Sequence, residues 1–103
     1  MKVFDIKKMK AYPYEQRQKN VFYKAEEFKA RIIELPAGGE MPLCKMESHV
    51  IFFVVKGEAQ VTVDRNTSII KEGNILVAPP ATLSMKTKKG IKIVGIQVMT
   101  GVA

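Results

Sequence analysis

The side chains able to ligate, attack or move a proton are Cys44, Met46 and His49, with Glu34, Glu40 and Glu47 around them and Ser84 further along. Three chemistries are open to such a set. A nucleophilic Cys44 needs an adjacent base and a field that stabilises its thiolate. The single histidine, His49, follows it at odd spacing, which in an extended chain puts the two on opposite faces. A Cys–His pair therefore requires a loop or bulge at Glu47–Ser48. A soft ion such as Cu(I) would suit Cys44, Met46 and His49 together. Against this, the six methionines are scattered with no Met-x-x-Met cluster, and a thiol and a thioether serve equally well as apolar lining. Acid–base catalysis would fall to His49 and the three glutamates, provided they share an interior.

The elements that must position these groups read as strands. Short apolar segments alternate with turn signals at Pro36 to Gly39, Lys56 to Glu58, Asp64 to Asn66, Glu72 to Asn74 and Lys89–Gly90. That spacing predicts an all-β sandwich or barrel. Val50 to Val55 is wholly β-branched or aromatic, as in a central strand. Ala59 to Val63 alternates, Ser68 to Lys71 and Ile75 to Ala78 are short, and Ile91 to Met99 forms a long final strand. Pro79–Pro80 ends regular pairing and turns the chain. The segment from Ala25 to Leu35 is ambiguous, because Ala25, Phe28, Ile32 and Leu35 also fit helical spacing. The surrounding β pattern favours a strand over Phe28 to Leu35, with Phe28, Ala30 and Ile32 on one face.

At 103 residues the chain is one domain, long enough for a small core. No apolar run approaches the roughly 18 residues of a membrane span, and the first residues have no apolar core of the secretory type. One cysteine excludes an internal disulfide and a cysteine-rich zinc site. These features point to a cytoplasmic protein with no membrane partner. The net charge of +7 comes mainly from scattered lysines, with Arg17, Arg31 and Arg65 as the only arginines. Nucleic-acid readers lean on arginine, so nucleic acid is disfavoured. Lys86, Lys88, Lys89 and Lys92 form either an anion-attracting cluster or a solvated hairpin end.

Two stretches carry a family resemblance. Gly38, Cys44, Met46, Val50 and Gly57 reproduce the spacing G-x5-H-x-H-x3-E-x6-G, and Gly73 and Pro79 with Ala81, Ser84 and Lys88 follow G-x5-P-x-G-x2-H-x3-N. In this spacing the chain resembles the cupin superfamily over Gly38 to Lys88. The resemblance implies a single domain over 1–103: N-terminal strands in 1–36, motif one at 38–57 and motif two at 73–88. It also implies a six-to-eight-stranded antiparallel β-barrel or jelly roll. In the family, three histidines and a glutamate hold a divalent metal inside the barrel. Here Cys44, Met46, Val50 and Ser84 occupy those positions, so no metal and no cofactor is expected, and the family's metal-dependent activities do not carry over.

If Cys44 and Met46 point inward, alternation carries Ser48, Val50, Phe52 and Val54 inward and His49, Ile51, Phe53 and Val55 outward. The expected ligand pocket is then Cys44, Met46, Val50, Phe52 and Ser84, apolar with one or two polar groups, for a small organic or anionic ligand. The outer stripe suggests a homodimer. Tyr12-Pro13-Tyr14 is placed either over an open barrel mouth or against a partner subunit. The leading expectation is a metal-independent, non-catalytic small-molecule binding or sensor protein. The alternatives are a metal-independent enzyme acting on a sugar or other small metabolite, and an interaction or regulatory subunit.

Overall fold

The computed structural model describes residues 1–99. Among them, eight strands follow one another: β1 (Val21–Lys24), β2 (Phe28–Leu35), β3 (Glu40–Met46), β4 (Val50–Val63), β5 (Asn66–Lys71), β6 (Ile75–Ala78), β7 (Ala81–Lys86) and β8 (Ile91–Val98). Every pairing is antiparallel. The fold is the expected all-β jelly roll. One sheet runs β1-β2-β8-β4 and continues from β4 to β6; the other runs β3-β7-β4 and continues to β5. β4 belongs to both.

The ambiguous segment is a strand. β2 pairs with β8 without interruption, from Phe28 opposite Val98 to Leu35 opposite Ile91. Long-range pairing overrides a local helical pattern that no other element could use. The stretch expected to hold N-terminal strands differs, since pairing begins only at Val21. Ahead of it lie two 3-10 helices, Ile6–Lys8 and Tyr14–Asn20, the second interrupted at Gln16. This polar, lysine-rich segment has no alternation that would fit it to a sheet. Instead it crosses the outer face of β2, β8 and β4. The Lys92 ammonium donates to the Met9 carbonyl at 2.6 Å and the Ala11 N–H donates to Glu34 at 3.3 Å.

Lys56 to Glu58 reads as a turn in sequence but is a corner within one strand. Gly57 has φ +85°, and a Cβ there would lie 2.2 Å from the Gly90 carbonyl oxygen. Only glycine permits both the backbone angle and the approach. The pairing of β4 with β8 slips by one residue between Val54 and Lys56. That slip reverses the alternation. Val50, Phe52 and Val54 are buried before it, Ala59 and Val61 after it. The buried Thr87 hydroxyl secures the corner, donating to the Glu58 carbonyl at 2.6 Å and accepting from the Gly90 N–H at 2.9 Å.

The core lies between the two sheets. Leu83, Ile93, Val50, Val54 and Val61 are its most completely buried large side chains, each contributing about 1.5–3 kcal/mol by burial. Gly57→Ala is expected to destabilise the protein by roughly 2–4 kcal/mol, from the strained φ and the backbone clash together. Urea denaturation measures this; a loss below about 0.5 kcal/mol would show that the corner tolerates a side chain.

Candidate functional site

A cavity of about 80 Å³ opens at one end of the core. Its walls come from the strands that the sequence marks. On β3, a bulge sets Met41 opposite Met85 and Cys44 opposite Leu83, so three residues span what β7 spans in two. Pro42, which has no N–H to lose from the ladder, sits in the bulge. The bulge turns both Met41 and Cys44 inward and leaves Leu43 exposed. Met46, Val50 and Phe52 continue the same wall, and Gly95 on β8 leaves space for the Phe52 ring, whose Cε1 would be 3.2 Å from a Cβ there.

Four of the five residues expected at the pocket line this cavity: Cys44, Met46, Val50 and Phe52. Ser84 does not. Leu83, one residue earlier, points inward, and Ser84 faces the other way, opposite Thr62 on β4. Spacing after Pro79–Pro80 does not set the parity of β7; its pairing with Cys44 does. His49 is exposed, as alternation predicts, and Glu40 and Glu47 are exposed as well. Glu34 reaches the cavity rim, but its carboxylate accepts the Ala11 N–H. The acid–base set considered from sequence therefore does not meet in an interior.

The roof is not part of either sheet. Tyr12 and Tyr14 close over the cavity, as one of the two placements of Tyr12-Pro13-Tyr14 had it. Asn20 holds them there. Its side chain accepts the Tyr12 N–H at 2.7 Å and donates to the Tyr12 carbonyl at 3.1 Å, imitating a strand partner. Asn20 is buried, and leaving such groups unpaired would cost about 1–3 kcal/mol. Arg17 lies 4.4 Å over the Tyr14 ring and donates to the Tyr14 carbonyl at 3.2 Å. Arg31, in the middle of β2 and opposite Gly95, projects into the same cavity. Burial in the apolar wall, and next the like charge of Arg17, push its pKa below the usual arginine value, while Tyr14 and Cys44 act in the other direction. Arg17, Asn20 and Arg31 were not singled out from sequence. The only hint was that three arginines stand among many lysines.

No family model matches the sequence, and no curated protein matches it. Many solved structures are similar. Against the cupin domain of Schizosaccharomyces pombe Cnp3 the TM-score is 0.72 at 25% identity, covering 77% of this chain and 61% of that one. The chain thus spans less than two thirds of that domain's length. Against the TT1209 protein of Thermus thermophilus the TM-score is 0.83 at 19% identity, over 95% and 97% of the two chains. Against an RmlC-like cupin family protein with a double-stranded β-helix fold from Methanocaldococcus jannaschii it is 0.68 at 24% identity, over 77% and 76%. By fold the chain is a cupin, as the two motif-like stretches implied.

The residues at the family's metal positions do not fit a divalent ion. Val50 has no donor atom, Ser84 faces away, and what remains is the Cys44 thiol 3.7 Å from the Met46 sulfur. Among the described residues no three His, Cys, Asp or Glu side chains come together to hold a metal. Two sulfurs without an imidazole or carboxylate make a poor site for the usual ions. Protein exposed to excess zinc or copper and then desalted is expected to retain far less than one equivalent by elemental analysis. A tight one-to-one complex by calorimetry would overturn this.

Proposed function

We propose that this chain is a metal-independent, non-catalytic cupin-type protein that binds a small organic molecule in the cavity between its sheets. One observation carries the reading: three of the four positions where the motif spacing implies metal ligands form an apolar wall around a cavity. Cys44, Met46 and Val50 line it, joined by Phe52 and Leu83. A core selected only for stability fills such space, because each unfilled volume costs dispersion and transfer energy. An apolar chamber with a few convergent polar groups is the usual form of a small-molecule site.

The test is a screen of compounds of about ten or fewer non-hydrogen atoms by thermal shift, on the natural chain and on Cys44→Leu, which fills the cavity. A true ligand at about 100 times its Kd should stabilise the natural chain by about 2.7 kcal/mol, roughly 10 °C or more in Tm. It should leave Cys44→Leu unmoved. The reading fails if nothing stabilises the natural chain while Cys44→Leu is more stable than it.

We propose also that a second copy covers the outer face of β4 and β6. Phe53 is opposite Ile75 and Ile51 opposite Val77 across these strands. Phe53, Ile75 and Val77 are 42%, 63% and 65% exposed. They continue the face that the N-terminal segment covers further along, where Val3 to Lys7 lie against Phe53 and Val55. An uncharged stripe of this kind on an edge strand is an aggregation hazard unless covered. Sedimentation should give a dimer at micromolar concentration and a monomer for Val77→Lys. A monomeric natural chain at high micromolar concentration would count against it.

A further inference from the structure

The cavity has a charge that its walls do not answer. Arg31 is half-buried in the middle of β2, flanked on the cavity side by apolar groups, with Arg17 close by at the roof. Among the described residues neither guanidinium lies within 4.0 Å of a carboxylate oxygen, and no acceptor is hydrogen-bonded to Arg31. Arg17 has only the Tyr14 carbonyl and ring. Glu34, the one carboxylate at the rim, is engaged by the Ala11 N–H on the outer side. Arg17 is exposed and its charge is met by water, whereas the half-buried Arg31 has apolar neighbours and a like charge nearby, an arrangement costly to the protein alone. An anion between them removes that cost.

We propose that the cavity takes a small organic carboxylate: the acid group is held by Arg31 with Arg17 beside it, and the apolar part lies against Val50, Phe52 and Leu83. The inference rests on the reading of the cavity as a ligand site. Arg31 presents a planar fork that matches a carboxylate through two parallel hydrogen bonds. The remaining wall is apolar, and about 80 Å³ gives room for on the order of six non-hydrogen atoms. Inorganic phosphate could pair with the same guanidiniums, but it is polar on every side and would leave the apolar wall unused, and the space is better matched to a short branched or cyclic chain. The charge selects an acid over its neutral analogues, because a neutral occupant leaves the half-buried Arg31 guanidinium without an anionic partner.

Calorimetry or ligand-observed NMR with 3-methylbutanoate, its uncharged amide and inorganic phosphate decides the matter. The acid should bind roughly 10- to 100-fold more tightly than the amide, as expected for charge-assisted hydrogen bonds. Arg31→Gln should remove that preference, Arg31→Lys should keep part of it, and Arg17→Gln should weaken it by a smaller factor. The fold of each variant is checked by its amide NMR spectrum, and the lysine variant guards against a merely structural loss. If the amide binds as well as the acid, or Arg31→Gln keeps the preference, the anchor is wrong while the cavity remains a ligand site. If phosphate outcompetes the acid, the carboxylate assignment is overturned. If neither acid nor amide binds up to about 10 mM, this proposal falls, and the broader reading falls with it unless the thermal-shift screen has found another occupant.

Discussion

The approach of Gly57 to the Gly90 carbonyl is the constraint on which the rest of the molecule depends. A strand of fourteen residues, β4, could have remained in one sheet. With no Cβ at Gly57, it turns a corner, pairs with β8 and β6 on one side and with β5 and β7 on the other. The one-residue slip beside the corner keeps apolar side chains inward in both halves. Without it, Glu58, Gln60 and Thr62 would face the core and Ala59 and Val61 would face solvent. The walls of the cavity are fixed by this arrangement, because Val50 and Phe52 face Leu83 only when β4 serves both sheets.

Within that frame the chemistry of the cupin interior has been exchanged. A metal-binding relative concentrates imidazoles and a carboxylate on the strands of its two motifs. Here those strands contribute sulfur and hydrocarbon, and the strong polar groups come from elsewhere: Arg31 from β2, Arg17 and Asn20 from the segment before β1. Where the motif spacing implies a site that neutralises a cation, this interior presents the positive charge of Arg31. Burial and the neighbouring guanidinium weigh against the charged form of Arg31, yet arginine remains protonated under ordinary conditions. The cavity without an occupant therefore carries positive charge at its Arg31 wall.

Much of this was legible in the sequence, and the failures have physical causes. Glycine and proline spacing pointed to the fold; the motif spacing set Cys44 and Met46 inward, and alternation from them carried Val50 and Phe52 to the cavity and His49 outside it. Alternation counts faces only while a ladder is regular. Motif spacing put Ser84 inward where Leu83 lies, because spacing beyond Pro79–Pro80 does not fix the parity of β7, and the β4 corner read as a turn because a glycine with positive φ serves either purpose. Arg31 was hidden for a different reason. In a strongly basic chain a single arginine on a strand looks like solvated surface, and its burial depends on which elements close over it. Those closing elements, Tyr12 and Tyr14, carry no periodicity that a sequence could announce.

The roof has its own consequence. Tyr12, Tyr14, Arg17 and Asn20 lie outside the sheets and make no part of the barrel's ladder. At Tyr12 the segment is held by one asparagine that grips that residue's backbone on both sides, with Lys92 and Glu34 holding Met9 and Ala11 just before it. The cover of the cavity and the buried core thus come from separate stretches of chain, while Arg31 on β2 faces both. On the proposed reading, substitutions of Tyr12, Tyr14 and Arg17 alter the cover of the cavity without disturbing the buried β4, β7 and β8 side chains. The mouth of the cavity can therefore change in shape while the paired strands beneath it stay as they are.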